Sequence, residues 1–277
     1  MVAPSAELSL NRLANLTQAL LAATQSPTSA RDFLIEVQEG NLAGLAVVNK
    51  FGRNDAVPNG SWEFVSLLGL TSWPLSAPTA VRIKAGGNAA DTAAGAGARE
   101  VTVQGIDSDF NEVSEAVATA GAAASLATTI SFWRIHRAWV SSAGTYGAAN
   151  TDDIVVENSG GGTDLIEIAA GEGQTQFGGW TVPVGKTAYL LAAEMRVDSN
   201  KSANIRMFTR ENIDVVSAPV SSKRIRLFFD GVSGEFHYDP PGTGKLINEK
   251  SDIWFEAFGD GGVVEVSCDF TLLVVDN

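Results

Sequence analysis

The feature that most constrains this chain is the recurrence of short runs of alternating apolar and polar residues, each bounded by Gly, Ser, Asn, Asp or Pro. Successive side chains of a strand point to opposite faces, so a period of two describes strands with one face on a core. The clearest case is Phe132-Trp133-Arg134-Ile135-His136-Arg137-Ala138-Trp139-Val140. Trp133, Ile135 and Trp139 share one face, Arg134 and His136 the other, and Arg137 alone breaks the pattern. Arg82-Ile83-Lys84 and Val101-Thr102-Val103 alternate in the same way. Strands are predicted at 45–51, 62–68, 80–84, 100–104, 112–118 and 132–140, then at 165–169, 178–184, 187–197, 204–209, 224–229, 253–258 and 263–275. Short strands with turn chemistry between them are the pattern of a sandwich or jelly roll. No period of about 20–50 residues recurs, which argues against a solenoid or propeller.

With 277 residues the chain has room for two domains of roughly 100–150 residues each, or for one large β domain. Hydrophobic residues at 45% against 18% charged give the balance of a globular protein. The expectation is a mainly β fold of two β-sandwich (jelly-roll-like) domains, 41–160 and 161–277, preceded by a short helical N-terminal arm, 1–40. The Gly-rich stretch 158–163 is either the hinge between them or a turn inside one domain. In the arm, Leu13, Leu16 and Leu20 recur at helical spacing, and Leu10, Ala14 and Leu21 widen the stripe. Ser5 or Ser9 is placed to cap this helix, and Gln25-Ser26-Pro27 to end it. A second short helix is expected over 29–37, with Ser29 and Asp32 in capping-box spacing. The stripe Leu10, Leu13, Leu16, Leu20 and Leu21 needs a surface to cover it: its own body, a neighbouring subunit or another protein. That makes it the candidate docking arm. The Ala/Gly-rich tracts 85–98 and 118–127 hold few large side chains and are read as loops, or as strands against a close neighbour.

Thirty-two acidic residues against nineteen basic ones leave a net charge of −13. Such a surface repels phosphates, so no nucleic-acid partner is expected. The one dense basic run, Lys223-Arg224-Ile225-Arg226, alternates as a strand that points Arg224 and Arg226 outward. No stretch approaches the ~20 apolar residues of a membrane span, and no membrane partner is expected. The N-terminus lacks the basic start and apolar run of a signal peptide, which predicts synthesis in the cytoplasm of a host cell. The single cysteine, Cys268, stands at an alternating position and is read as a small core residue.

Several segments approach catalytic or metal chemistry and fall short. Asp239-Pro240-Pro241-Gly242-Thr243-Gly244-Lys245-Leu246 resembles a phosphate-binding loop, with Asp276 after an apolar run as the metal carboxylate. That mechanism needs a first glycine, a hydroxyl after the lysine and a following helix. Here Asp239 would repel the anion, Leu246 has no hydroxyl, and 247–252 has no helical pattern, so a turn between strands is expected. Glu235, His237 and Asp239 would share a strand face, but no second His or Cys supports a metal site. His136 has no acidic neighbour in sequence. Asp107, Asp109, Asn111 and Glu112 faintly resemble a calcium loop, without its glycine or distal glutamate, and are read as a hairpin turn. No Gly-x-Ser-x-Gly elbow occurs. The six tryptophans, Trp62, Trp73, Trp133, Trp139, Trp180 and Trp254, are read first as core or interface residues. No catalytic residue, cofactor or metal site is predicted, and the chain is not expected to be an enzyme.

Four longer phrases carry a resemblance: Val48-Asn49-Lys50-Phe51-Gly52-Arg53-Asn54, the stretch from Ala98 to Asp107, Arg137-Ala138-Trp139-Val140-Ser141-Ser142-Ala143-Gly144, and Ile168 to Thr175 followed by Trp180 to Leu190. They resemble segments of virion structural proteins of tailed bacteriophages. The resemblance implies a part of the virion: a capsid decoration protein, a head spike, or a neck or tail component. It further implies a homo-oligomer, with a trimer as the expected form, and contact with other virion proteins such as the major capsid protein. Two other classes stand beside it. One is a receptor- or glycan-binding spike, suggested by the tryptophans and the Gly/Ser/Asn loops. The other is a polysaccharide hydrolase inside a jelly roll, which would need paired carboxylates in a cleft.

Overall fold

The computed structural model describes residues 32–198, 200–240 and 244–277. Among these the fold is mainly β and antiparallel throughout, with one short helix near the start. The predicted stripe of Leu10, Leu13, Leu16, Leu20 and Leu21 lies outside the described residues. Helix α1 (Phe33–Gln38) begins later than the predicted 29–37. Asp32 is itself the cap: its carboxylate accepts the Leu34 N–H at 2.9 Å. Val37 and Leu42 seat the helix against Leu45, Val47 and Leu273.

The first sheet runs β1 (Leu45–Val57), β17 (Val264–Asp276), β11 (Lys186–Val197) and β14 (Gly234–Tyr238), with β15 (Lys245–Ile247) also on β11. The second runs β10 (Gly179–Thr181), β16 (Asp252–Asp260), β12 (Ser202–Arg210) and β13 (Arg224–Val232), with β2 (Glu63–Phe64) on β16. These two pack face to face. Ala188, Leu190, Met195, Cys268, Phe270 and Leu272 from one meet Ile205, Met207, Ile253 and Phe255 from the other. The third sheet runs β6 (Ser131–Phe132), β3 (Thr79–Ile83), β8 (Ile154–Asn158) and β9 (Asp164–Ile168). The fourth runs β5 (Glu112–Ala118), β4 (Ala98–Ile106) and β7 (Arg134–Ala143). Val81, Val101, Val103, Ile135, Val156 and Ile168 form the core of this second pair.

The cores do not follow chain order. β1 pairs with the C-terminal strand, Leu45 opposite Val275 through Gly52 opposite Cys268. The early segment therefore belongs with residues beyond 177 rather than with 79–168. The expected division at 160/161 falls inside the β8–β9 hairpin, where Ile154 pairs with Ile168. Within that hairpin Gly161 takes φ 78°, and the Asn158 side chain accepts the Thr163 N–H at 3.0 Å. The stretch is thus a turn. β8, β14 and β15 were not among the predicted strands.

Two glycines explain how the layers approach. A side chain at Gly52 would place its Cβ 2.3 Å from the Gly178 nitrogen and 2.4 Å from the Val65 carbonyl. At Gly178 a Cβ would lie 2.6 Å from the Cys268 sulfur. β1 and the approach to β10 thus touch backbone to backbone, which only glycine permits. Cys268 is buried in this contact, and burial pushes its thiol pKa up, as expected of a packing residue.

Candidate functional site

β16 is buried on both faces, because Ile253 and Phe255 enter the first core while Phe64, Phe177, Phe208 and Trp254 join the second. Polar groups bridge the two cores there. Asp252, fully buried, takes Arg134 Nη2 at 3.0 Å and the Thr181 hydroxyl at 2.7 Å. The Thr181 N–H donates to His136 Nε2 at 3.1 Å, and Lys50 Nζ donates to the His136 carbonyl. Burial lowers the His136 pKa well below its ordinary value, with Lys50 and Arg134 adding repulsion. His136 is therefore neutral, with its proton on Nδ1, where it finds no partner among the described residues.

This corrects the expected orientation of the strand around 132–140. Arg134 and His136 were expected on the face opposite the core, yet both are buried, because that face of β7 packs against Trp180, Thr181 and Asp252. The missing signal is distance in sequence, since Arg134 and Asp252 lie 118 residues apart.

Beside this bridge lies a cleft of about 550 Å³, between the 71–76 loop, the approach to β7, the second-core face of β16 and the β12–β13 connection. Trp73, Trp133 and Trp254 line it, with Arg134, Arg210 and Lys223 as cations and Glu256 as the lining acid. Glu256 is saturated: it accepts from Arg206 at 2.7 Å, Lys223 at 3.0 Å and Trp254 Nε1 at 2.8 Å. Arg134 lies 5.1 Å over the Trp73 ring, and its Nη1 donates to the Leu75 and Trp133 carbonyls. The indole N–H groups of Trp73 and Trp133 and the Nε–H of Arg210 are buried without a partner among the described residues.

A third feature is the open edge formed by β13 in one sheet and β14–β15 in the other. Phe229 meets Phe236 at 5.0 Å and Tyr238 at 5.7 Å, and Arg226 donates to the Leu246 carbonyl at 2.7 Å. On these strands Ile225, Phe228, Phe236 and Leu246 are exposed, Ile225 by 54%. The basic run departs from its expected alternation here. Met207 faces Leu227 and Phe208 faces Ile225, so Arg226 is bulged out of register and Ile225 turns outward. Arg224 is exposed as expected.

The remaining sequence candidates settle as follows. The segment from Asp239 to Lys245 connects two strands, β14 and β15, both on β11, with residues 241–243 outside the described set. Asp276 bonds Lys186 at 2.6 Å. His237 lies between Glu194 at 3.2 Å and Asp239 at 3.0 Å; its hydrogen bond to Asp239, and then the charges of both carboxylates, raise its pKa, while Glu235 pairs with Arg196. Asp107 accepts the N–H groups of Asp109 and Asn111, closing the β4–β5 hairpin. Among the described residues no group of three or more His, Cys, Asp or Glu side chains is placed to hold a metal, and no helix is long and apolar enough to cross a membrane.

No family model matches the chain, and no curated protein matches it. Among solved structures it is similar to a structure of the Gt strain of infectious bursal disease virus, with a TM-score of 0.24, 9% identity, and 88% of this chain and 78% of that chain covered. It is also similar to Arthrobacter globiformis T6 isomalto-dextranase complexed with panose, with a TM-score of 0.21, 12% identity, 83% of this chain and 35% of that chain. T=1 particles derived from infectious bursal virus give a TM-score of 0.13 at 10% identity, over 84% of this chain and 79% of that chain. Likenesses at these scores carry no argument about function.

Proposed function

We propose that this chain is a non-enzymatic structural protein of a tailed-phage particle, decorating or cementing the capsid through contacts with its own copies and with the major shell protein. On this reading the two β cores are jelly-roll-like sandwiches, and residues 1–40 are the arm that docks on the shell. The chain is then made in the host cytoplasm and ends up in the virion.

The observation that carries the proposal is the open edge of β13 and β14–β15. Soluble monomers usually blunt sheet edges with charges, bulges or covering loops. Here β13 carries bulges and charges, yet two edge strands still lie side by side with Ile225, Phe228, Phe236 and Leu246 exposed to solvent. Large apolar side chains at the centre of a patch are the usual anchors of a protein interface. Arg224 and Asp230 at the same edge supply charges for its polar rim. The phage-like phrases point the same way: Lys50 and Gly52 in the first of them lie at the junction of the two cores, where they specify architecture rather than chemistry.

Light scattering of the full chain after size exclusion tests the self-assembly. The expected result is a closed oligomer of one size, a trimer on the resemblance, which falls to monomer in an Ile225→Asp/Phe236→Asp variant with an unchanged far-UV spectrum. A monomeric parent chain, or an oligomer indifferent to both substitutions, overturns the proposal.

A further inference from the structure

We infer, resting on the reading of the β13 edge as the assembly surface, that the stretch 215–229 of one copy docks on the outer face of the first sheet of a second copy. The contact is head to tail: each copy offers one surface and receives the other.

The offered surface is set by composition and exposure together. From Val215 to Phe229 the chain has no acidic residue, although 32 of its 277 residues are acidic. Over the same stretch Val215, Val216, Val220, Ile225 and Phe228 are exposed. Lys223 is tied to Glu256 at 3.0 Å, and Arg226 to the Leu246 carbonyl at 2.7 Å. Arg224 is the cation left pointing outward, its side chain 69% exposed and 3.7 Å from Glu211. Apolar groups exposed together, with a charge at their rim, have the composition of an interface.

The receiving surface has the opposite character. On the face of β1, β17 and β11 turned away from the core lies a groove of about 520 Å³, which holds Glu194, Asp198, Glu265 and Asp269 around Phe51. Its two cations, Arg53 and Arg196, are held by Asp55 at 2.7 Å and Glu235 at 3.3 Å. Asp269 stands directly opposite both Phe51 and Glu194 in the sheet. Two carboxylates facing each other across neighbouring strands repel. Burial, and then repulsion from Glu194, push the Asp269 pKa up against the lowering effect of its bond from Asn49. Glu265 is exposed and has no side-chain partner among the described residues. Phe51 is 39% exposed in the midst of these charges. The groove thus lacks a cation and an apolar cover, and the stretch 215–229 carries both.

Charge selects this pairing over the alternatives. Two copies of a chain of net charge −13 repel each other over most of their surfaces. Groove on groove would set carboxylates against carboxylates, and patch on patch would set the acid-free stretch against itself. Patch on groove is the arrangement in which the potentials are complementary. Because the two surfaces differ, the contact is heterologous, and its repetition closes a ring when the rotation allows.

Light scattering of the full chain and of mixed variants tests the arrangement. Ile225→Asp/Phe228→Asp removes the patch and keeps the groove; Phe51→Lys/Glu265→Lys does the reverse. Each alone is expected to be monomeric. An equal mixture should form a species of two chains and nothing larger, because one sound patch meets one sound groove. Glu265→Lys alone touches no partner within the fold and should weaken assembly by about tenfold. Thermal melting shows whether each variant is folded. A groove variant that keeps the parent oligomer, a Glu265→Lys chain that assembles as tightly as the parent, or a mixture that stays monomeric overturns the inference. If Ile225→Asp/Phe236→Asp still dissolves the oligomer in that case, the edge remains the assembly surface and only its acceptor is wrong. A monomeric parent chain overturns both.

Discussion

Lys50 provides a stability prediction that can be worked through from the structure. Alternation along β1 turns Lys50, Gly52 and Asn54 inward, and Lys50 is 8% exposed. Its ammonium donates to the His136 carbonyl, with no carboxylate among the described residues bonded to it. Desolvation is the main cause of its lowered pKa, Arg137 adds repulsion, Glu112 and Cys268 partly offset both, and the value falls from 10.5 to about 7. At roughly 1.4 kcal/mol per pKa unit, keeping this lysine protonated in the fold costs about 5 kcal/mol at low pH. The sign follows from linkage. Below pH 7 both states hold the proton and the cost is constant; between about 7 and 10.5 the unfolded chain binds more protons than the folded one. Stability therefore rises with pH through that window, by about 2 kcal/mol between pH 7 and 9 from this group. Lys50→Met removes the charge at similar length but leaves the His136 carbonyl without its donor, a loss of about 1–3 kcal/mol. The net expectation at pH 6 is a variant more stable by about 2–4 kcal/mol, an advantage that shrinks as pH rises. Urea unfolding followed by tryptophan fluorescence at pH 6, 7, 8 and 9 measures both curves. A variant less stable at every pH, or parallel curves for the two proteins, would refute the reasoning.

Two further perturbations test the junction of the cores. Arg134→Met strands the buried Asp252 carboxylate and should cost about 3–5 kcal/mol in urea; adding Asp252→Asn should recover a large part, and a double variant no better than the single one contradicts the pairing. Gly52→Ala drives a Cβ into the backbone of Gly178 and Val65, which cannot retreat as a side chain would. A loss of about 3 kcal/mol or more is expected, seen as a lowered melting temperature, and a neutral effect would show that β1 does not lie where it is described.

What could be read from the sequence was local, and what escaped it was long-range. Period-two alternation found the strand 112–118 to the residue, and 187–197 to within one. Asp107 announced its hairpin because an Asx turn is made within five residues. By contrast, the sequence neighbours of β1 gave no hint that its partner is the C-terminal strand more than 200 residues away. Chain-order reasoning therefore drew the domain boundary through a hairpin. β8 escaped because Ile154-Val155-Val156-Glu157-Asn158 runs straight into the Gly-rich turn that attracted attention instead. The bulge at Arg226 reversed Ile225, which alternation alone would have buried. The cleft was illegible for the same reason as the buried bridge: Trp73, Trp133 and Trp254 come from three separate elements, and only the fold brings them together.

The central claim is that the chain is a stoichiometric part of a phage particle. Quantitative mass spectrometry of gradient-purified particles tests it most directly. The account predicts this chain in a fixed ratio to the major shell protein, retained through repeated gradients, and lost or reduced when residues 1–40 are deleted. Particles free of the chain, or carrying it in a variable trace that washes away, would contradict it.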